Sequence, residues 1–190
     1  MMNKKITLIY ILGLSLFGLA SLQANNRELD SYSMYESSYT SIAQKDCRTL
    51  ESDNLGSIEE CESFADMKVT VIEGDIKQGI TLTRESRRYE LNFRSAVSYD
   101  FISLGLELEW RYKRNQFDNP IALITRLDVN DDQENLDKIT SYLVISKITE
   151  KEICVVGKVE PQKNQDEIAR RMAEKSSKMS CISSLELKLI

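Results

Sequence analysis

The chain has 190 residues, with 25 Lys+Arg against 30 Asp+Glu, four Cys, one Trp and no His. The length fits one domain, the 42% hydrophobic content is enough for a core, and the acidic balance argues against nucleic acid as the partner. Without histidine, Ser–His, Cys–His and His–metal chemistry are closed to this chain acting alone.

Residues 1–24 read as a signal peptide. Lys4 and Lys5 precede an apolar run over residues 6–22, and Ala24 offers a small residue at the cut. The run is at the short edge of a spanning helix and no stop-transfer segment follows it. Cleavage is therefore expected, with no stable membrane anchor left and a periplasmic or secreted product. Removing two lysines and no acid takes the net charge from −5 to −7.

Residues 25–45 read as a flexible Ser/Tyr-rich leader. Ser31, Ser33, Ser37, Ser38 and Ser41 are interspersed with Tyr32, Tyr35 and Tyr39, and there are few aliphatics to bury. The sharper reading is a docking segment that lays its tyrosines on a partner. Residues 46–190 then form a single domain.

That domain opens with a turn-rich loop between Cys47 and Cys61. Val69 and Val71 alternate with polar residues, Glu73-Gly74-Asp75 turns, and residues 76–83 return, which predicts a hairpin. Tyr89, Leu91 and Phe93 make a further short alternation, with Val97, Tyr99 and Phe101 after it. The clearest strand spans residues 104–114. Leu104, Leu106, Leu108, Trp110 and Tyr112 share an apolar face, and Glu107, Glu109, Arg111 and Lys113 share a solvated one. Ile121, Leu123, Thr125, Leu127 and Val129 form the next inward face. An acidic loop over residues 130–137 leads to strands at 142–148 and 153–159. After Pro161, Asn164 and Glu167 have capping-box spacing, and Ile168, Ala169, Met172, Ala173 and Ser176 make the buried stripe of a helix. The sum is an α+β fold: an antiparallel β-sheet meander with one C-terminal helix packed on it.

In an exported protein an even number of cysteines reads as disulfides. Cys47, Cys61, Cys154 and Cys181 allow three pairings, and their grouping into two local pairs favours Cys47–Cys61 and Cys154–Cys181. No C-x-x-C pair supports a zinc or redox site.

No site motif emerges, and no cofactor or metal is expected. Asp128, Asn130 and Asp132 fall at positions one, three and five of a calcium loop. Gln133 then stands where Gly is needed, and Ile139 where a bidentate Glu is needed. Glu107 and Glu109 are a carboxylate pair of the kind glycoside hydrolysis uses, but Arg111 and Lys113 on the same face favour cross-strand ion pairs. Trp110 reads as core. Arg84, Arg87, Arg88, Arg94, Arg111 and Arg114 concentrate positive charge and form a candidate binding surface for an anionic ligand.

Glu73-Gly74-Asp75, Glu109-Trp110-Arg111 and Cys154-Val155-Val156-Gly157, followed by a helix and Cys181, resemble uncharacterised small exported proteins of alphaproteobacteria. The resemblance covers residues 47–181. This chain departs from it in the Ser/Tyr-rich start and in heavier Lys, Ile and Asn usage. It implies an exported, disulfide-bonded domain and carries over no catalytic residue. The function expected is a non-enzymatic binding protein for an unknown protein or anionic surface ligand, with a host-directed effector or inhibitor as one form of it. The alternative is a carboxylate-dependent periplasmic hydrolase acting on a glycan.

Overall fold

The computed structural model describes residues 33–74, 77–97, 102–130, 135 and 137–182. The segment read as a signal peptide lies outside them, as do Asp75, Tyr99, Phe101, Asp132 and Gln133. Ten strands and two helices follow in order: β1 (Tyr35–Ser41), β2 (Arg48–Asp53), β3 (Gly56–Phe64), β4 (Met67–Gly74), β5 (Lys77–Arg84), β6 (Arg87–Glu90), α1 (Phe93–Ala96), β7 (Ile102–Lys113), β8 (Pro120–Asn130), β9 (Ile139–Ile148), β10 (Ile153–Val159) and α2 (Gln165–Lys175).

The fold class is α+β, as expected. The meander is double: β2 to β6 pair consecutively, and β7 to β10 do the same. A single parallel pairing, Lys77 with Ile102, joins the two five-strand leaves into one ten-stranded sheet. The fifth strand of the second leaf is β1, antiparallel to β7 from Tyr35↔Lys113 to Ser41↔Glu107. The segment read as a flexible leader is therefore built into the sheet from Tyr35 onward. The segment between Cys47 and Cys61, read as a loop, is the β2–β3 hairpin. Its turn is closed by Asp53 Oδ1, which accepts from Leu55 N and Gly56 N. Gly56 is needed there because a Cβ would lie 1.9 Å from the Glu73 carbonyl oxygen.

The leaves face each other across the main core. Met67, Val69 and Leu82 from one leaf, and Leu108, Trp110, Leu123, Leu127 and Val129 from the other, are fully buried in one cluster. Phe64 of β3 stacks on Trp110 of β7 with ring centroids 5.1 Å apart. A second cluster lies on the outer face of the β7–β10 leaf. There Ala169 and Ala173 of α2 are sealed against Ala122, Ile124, Leu143, Ile145, Val156 and Val159. The predicted stripe of the helix is thus the face that packs. Its capping box does not form: Asn164 adopts the left-handed conformation, φ 62°, and its side chain makes no capping bond. Asn tolerates that region better than most residues, so it serves here as the bend that turns the chain into the helix.

Both favoured disulfides are present. Cys47–Cys61 closes the base of the β2–β3 hairpin, and Cys154–Cys181 ties β10 to the segment that follows α2. Two disulfides are the chemistry of an oxidising environment. No helix among the described residues is long and apolar enough to cross a membrane.

Candidate functional site: a groove beside an ionic ladder

The pairing of β7 with β8 advances from Leu104↔Leu127 to Leu108↔Thr125, four residues against two. Gly105, Leu106 and Glu107 therefore stand opposite Arg126 alone, and the two surplus residues make a bulge in this ladder. This corrects the face assignment for Leu106, which is 69% exposed, while Leu108 and Trp110 are fully buried. Bulges of this kind re-aim side chains at sheet surfaces.

Beyond the bulge the outer face of β7 passes under α2. Glu109 and Arg111, expected on a solvated face, are only 9% and 5% exposed. The helix edge carries Asp166, Arg170 and Glu174, one turn apart each. They meet Arg126, Glu109 and Arg111 in that order, so minus, plus, minus on the helix faces plus, minus, plus on the sheet. Arg170 reaches Glu109 Oε1 at 2.7 Å and Oε2 at 3.3 Å, and donates to Tyr39 Oη at 2.9 Å. The hydrogen bond to Glu109 raises the pKa of the Arg170 guanidinium above its ordinary value, so it stays charged at every relevant pH.

The leader residues complete this lattice. On the outer face of β1, Ser37 donates to Glu109 Oε1 and accepts from Arg111 Nη1 at 2.8 Å. On the inner face, Thr40 Oγ1 accepts from Trp110 Nε1 at 2.8 Å, and Ser38 shares a hydrogen bond with Tyr112 Oη at 3.0 Å. Ser37, Ser38 and Thr40 thus each answer a polar atom of β7.

Beside the ladder lies an open groove of about 720 Å³. The bulge residues Gly105, Leu106 and Glu107 form part of its wall, with Tyr39, Lys45 and Asp46 also lining it. The Tyr39 ring is 52% exposed although its hydroxyl is held by Arg170. Asp46 accepts from Ser41 at 2.7 Å. The side chains of Lys45 and Glu107 are exposed and make no hydrogen bond or ion pair among the described residues.

The predicted arginine surface is not one patch. Arg84, at the end of β5, pairs with Asp66 at 3.1 Å and donates to the Thr149 carbonyl. Arg87 and Arg88 follow on β6, and Arg94 is exposed on α1. Arg111 is beneath α2, paired with Glu174, and Arg114 pairs with Glu36 at 3.0 Å. Of the calcium-loop residues, Asp128 and Asn130 belong to β8. Sequence reasoning passed over Arg170, Lys45 and Arg126 as site residues, and named Tyr39 only among the tyrosines of a docking segment. The available signal was the alternating charge at 166, 170 and 174, a four-residue spacing on one helix edge.

Comparison with family models, curated proteins and solved structures finds no match for this chain. The fold and site define it as a disulfide-stapled α+β domain with a polar surface groove.

Proposed function

We propose that this is an exported, non-enzymatic interaction protein of the periplasm or the extracellular space, and that it engages a protein partner through the groove. One observation carries the reading. The β7 bulge pushes Leu106 and Glu107 outward beside the exposed Tyr39 ring and the unengaged Lys45, while the charges behind them are held in the ladder. An exposed aromatic and aliphatic pair flanked by uncommitted charges on a rigid base is the composition of a protein contact site. The signal-peptide pattern and the resemblance to exported proteins support the location.

The test compares the mature protein with Tyr39→Ala and Glu107→Lys variants in capture from periplasmic and host extracts. Both positions are exposed, so both variants should fold. A partner held by the parent and lost by both variants supports the groove. A partner held equally by all three refutes it.

The hydrolase reading keeps one observation in its favour, since Glu107 and Glu109 both line the groove. Glu109, however, already accepts from Arg170 twice and from Ser37, so both of its carboxylate oxygens are engaged by the protein itself. Release of sugar from cell-wall or glycan substrates, abolished by Glu107→Gln with Glu109→Gln, would restore this reading.

A further inference from the structure

We infer that cleavage of the Cys154–Cys181 disulfide creates a site for a divalent metal ion, with the two thiolates and Glu152 as ligands. The three ligand atoms lie within 4.8 Å of one another. Glu152 Oε2 is 3.3 Å from Cys181 Sγ. A tetrahedral zinc ion with ordinary bond lengths places a sulfur and an oxygen ligand about 3.5 Å apart and two sulfurs about 3.8 Å apart. The carboxylate already stands at the required separation, and cleavage frees the sulfurs to reach theirs.

The thiols stay in place without the bond between them. Ile182 N donates to the Val155 carbonyl at 2.9 Å, and Lys147 Nζ donates to the Met179 carbonyl at 2.9 Å. These contacts bracket Cys181 and hold it against β9 and β10. Lys147, 5% exposed at its side chain, also pairs with Glu152 Oε1. That leaves Oε2 directed at the sulfurs, the orienting role that outer hydrogen bonds play at metal sites. Sequence spacing hides the set, because the ligands come from a β-turn, a strand and the segment after the last helix.

The chemistry balances with a dithiol or phosphine reductant. The reductant supplies two electrons, the disulfide takes them up with two protons to give two thiols, and metal binding releases those protons to solvent. The oxidised protein lacks the ligands, so the site is gated by the redox state of its surroundings. This inference stands independently of the groove.

The experiment titrates cobalt(II), then zinc, into the full chain before and after reduction. Near-ultraviolet circular dichroism monitors the fold. The expected result is one tetrahedral cobalt signal with thiolate charge-transfer absorption in the reduced protein alone, displaced by zinc. Cys154→Ser with Cys181→Ser abolishes the signal although Cys47 and Cys61 remain, which separates the two cysteine pairs. Glu152→Gln weakens binding at least about tenfold, the effect expected for loss of a ligand or its close support. No tetrahedral signal in the reduced parent overturns the proposal. Equal binding by oxidised protein or by the double serine variant does so as well, and so does unaltered affinity in Glu152→Gln.

Discussion

At the scale of single residues, the Ser/Tyr-rich strand shows how a hydroxyl replaces an aliphatic. Trp110 is fully buried, and its indole N–H finds its acceptor in Thr40. Thr40→Val keeps the shape and removes the acceptor, leaving a buried donor unpaired. The expected loss is about 1–3 kcal/mol, measured by denaturant unfolding, with little change for Ser33→Ala just before the strand. Glu60 offers a pH test. The Arg48 hydrogen bond, and then the Arg48 charge, hold its carboxyl below the ordinary glutamate pKa. A depressed folded-state value means the contribution is complete above the unfolded pKa and is lost as pH falls through the folded one. Carboxyl NMR should show Glu60 titrating low in the parent and returning upward in Arg48→Ala.

Among secondary-structure elements, the ladder between α2 and β7 is the feature that patterning misread. Alternation put Glu109 and Arg111 together on the face of β7 opposite Trp110, which is where they lie, but gave that face to solvent, whereas both are buried. What alternation cannot show is that a helix sixty residues later lands on it with opposite charges in step. The same limit hid β1: a strand whose partners are polar atoms carries no apolar period. The disulfides, the two clear hairpin strands and the helix stripe were legible because each follows from local spacing. Two measurements address the elements. Glu174→Ala leaves Arg111 buried with only Ser37, and should cost about 3 kcal/mol. Replacing both, Arg111→Met with Glu174→Leu, should recover most of that loss in thermal melts. The β5–β6 turn is a separate case. Glu85 and Ser86 sit at φ 48° and 71° between Arg84 and Arg87, positions that a two-residue hairpin usually gives to Asn and Gly. Substituting Asn and Gly there should stabilise by about 1 kcal/mol, seen as a higher melting temperature.

For the whole molecule, the two staples close separate loops, with sequence separations of 14 and 27. On the chain-entropy model each contributes about 3–4 kcal/mol. A domain of this kind has in total roughly 5–15 kcal/mol. Removing either pair by Cys→Ala should therefore shift the unfolding midpoint clearly, and removing both should bring the domain near its unfolding threshold. Guanidinium titration of the three variants checks this. An outcome in which both removals together cost less than one alone would deny the disulfides their stabilising role.

The placement of β1 has a consequence for the order of assembly. Its first strand belongs beside β7, so Thr40 and Trp110 are 70 residues apart in the chain. During synthesis from the N-terminus, β1 emerges long before the strand that receives it. Every other neighbouring pair of the β7–β10 leaf closes through a short connection. The seam between β1 and β7 is thus among the last to zip, and until it does one flank of β7 stays open and the lone tryptophan lacks its acceptor. Fluorescence of Trp110 is therefore a clock for the closing of the sheet: the strand that begins the fold is the one that finishes it.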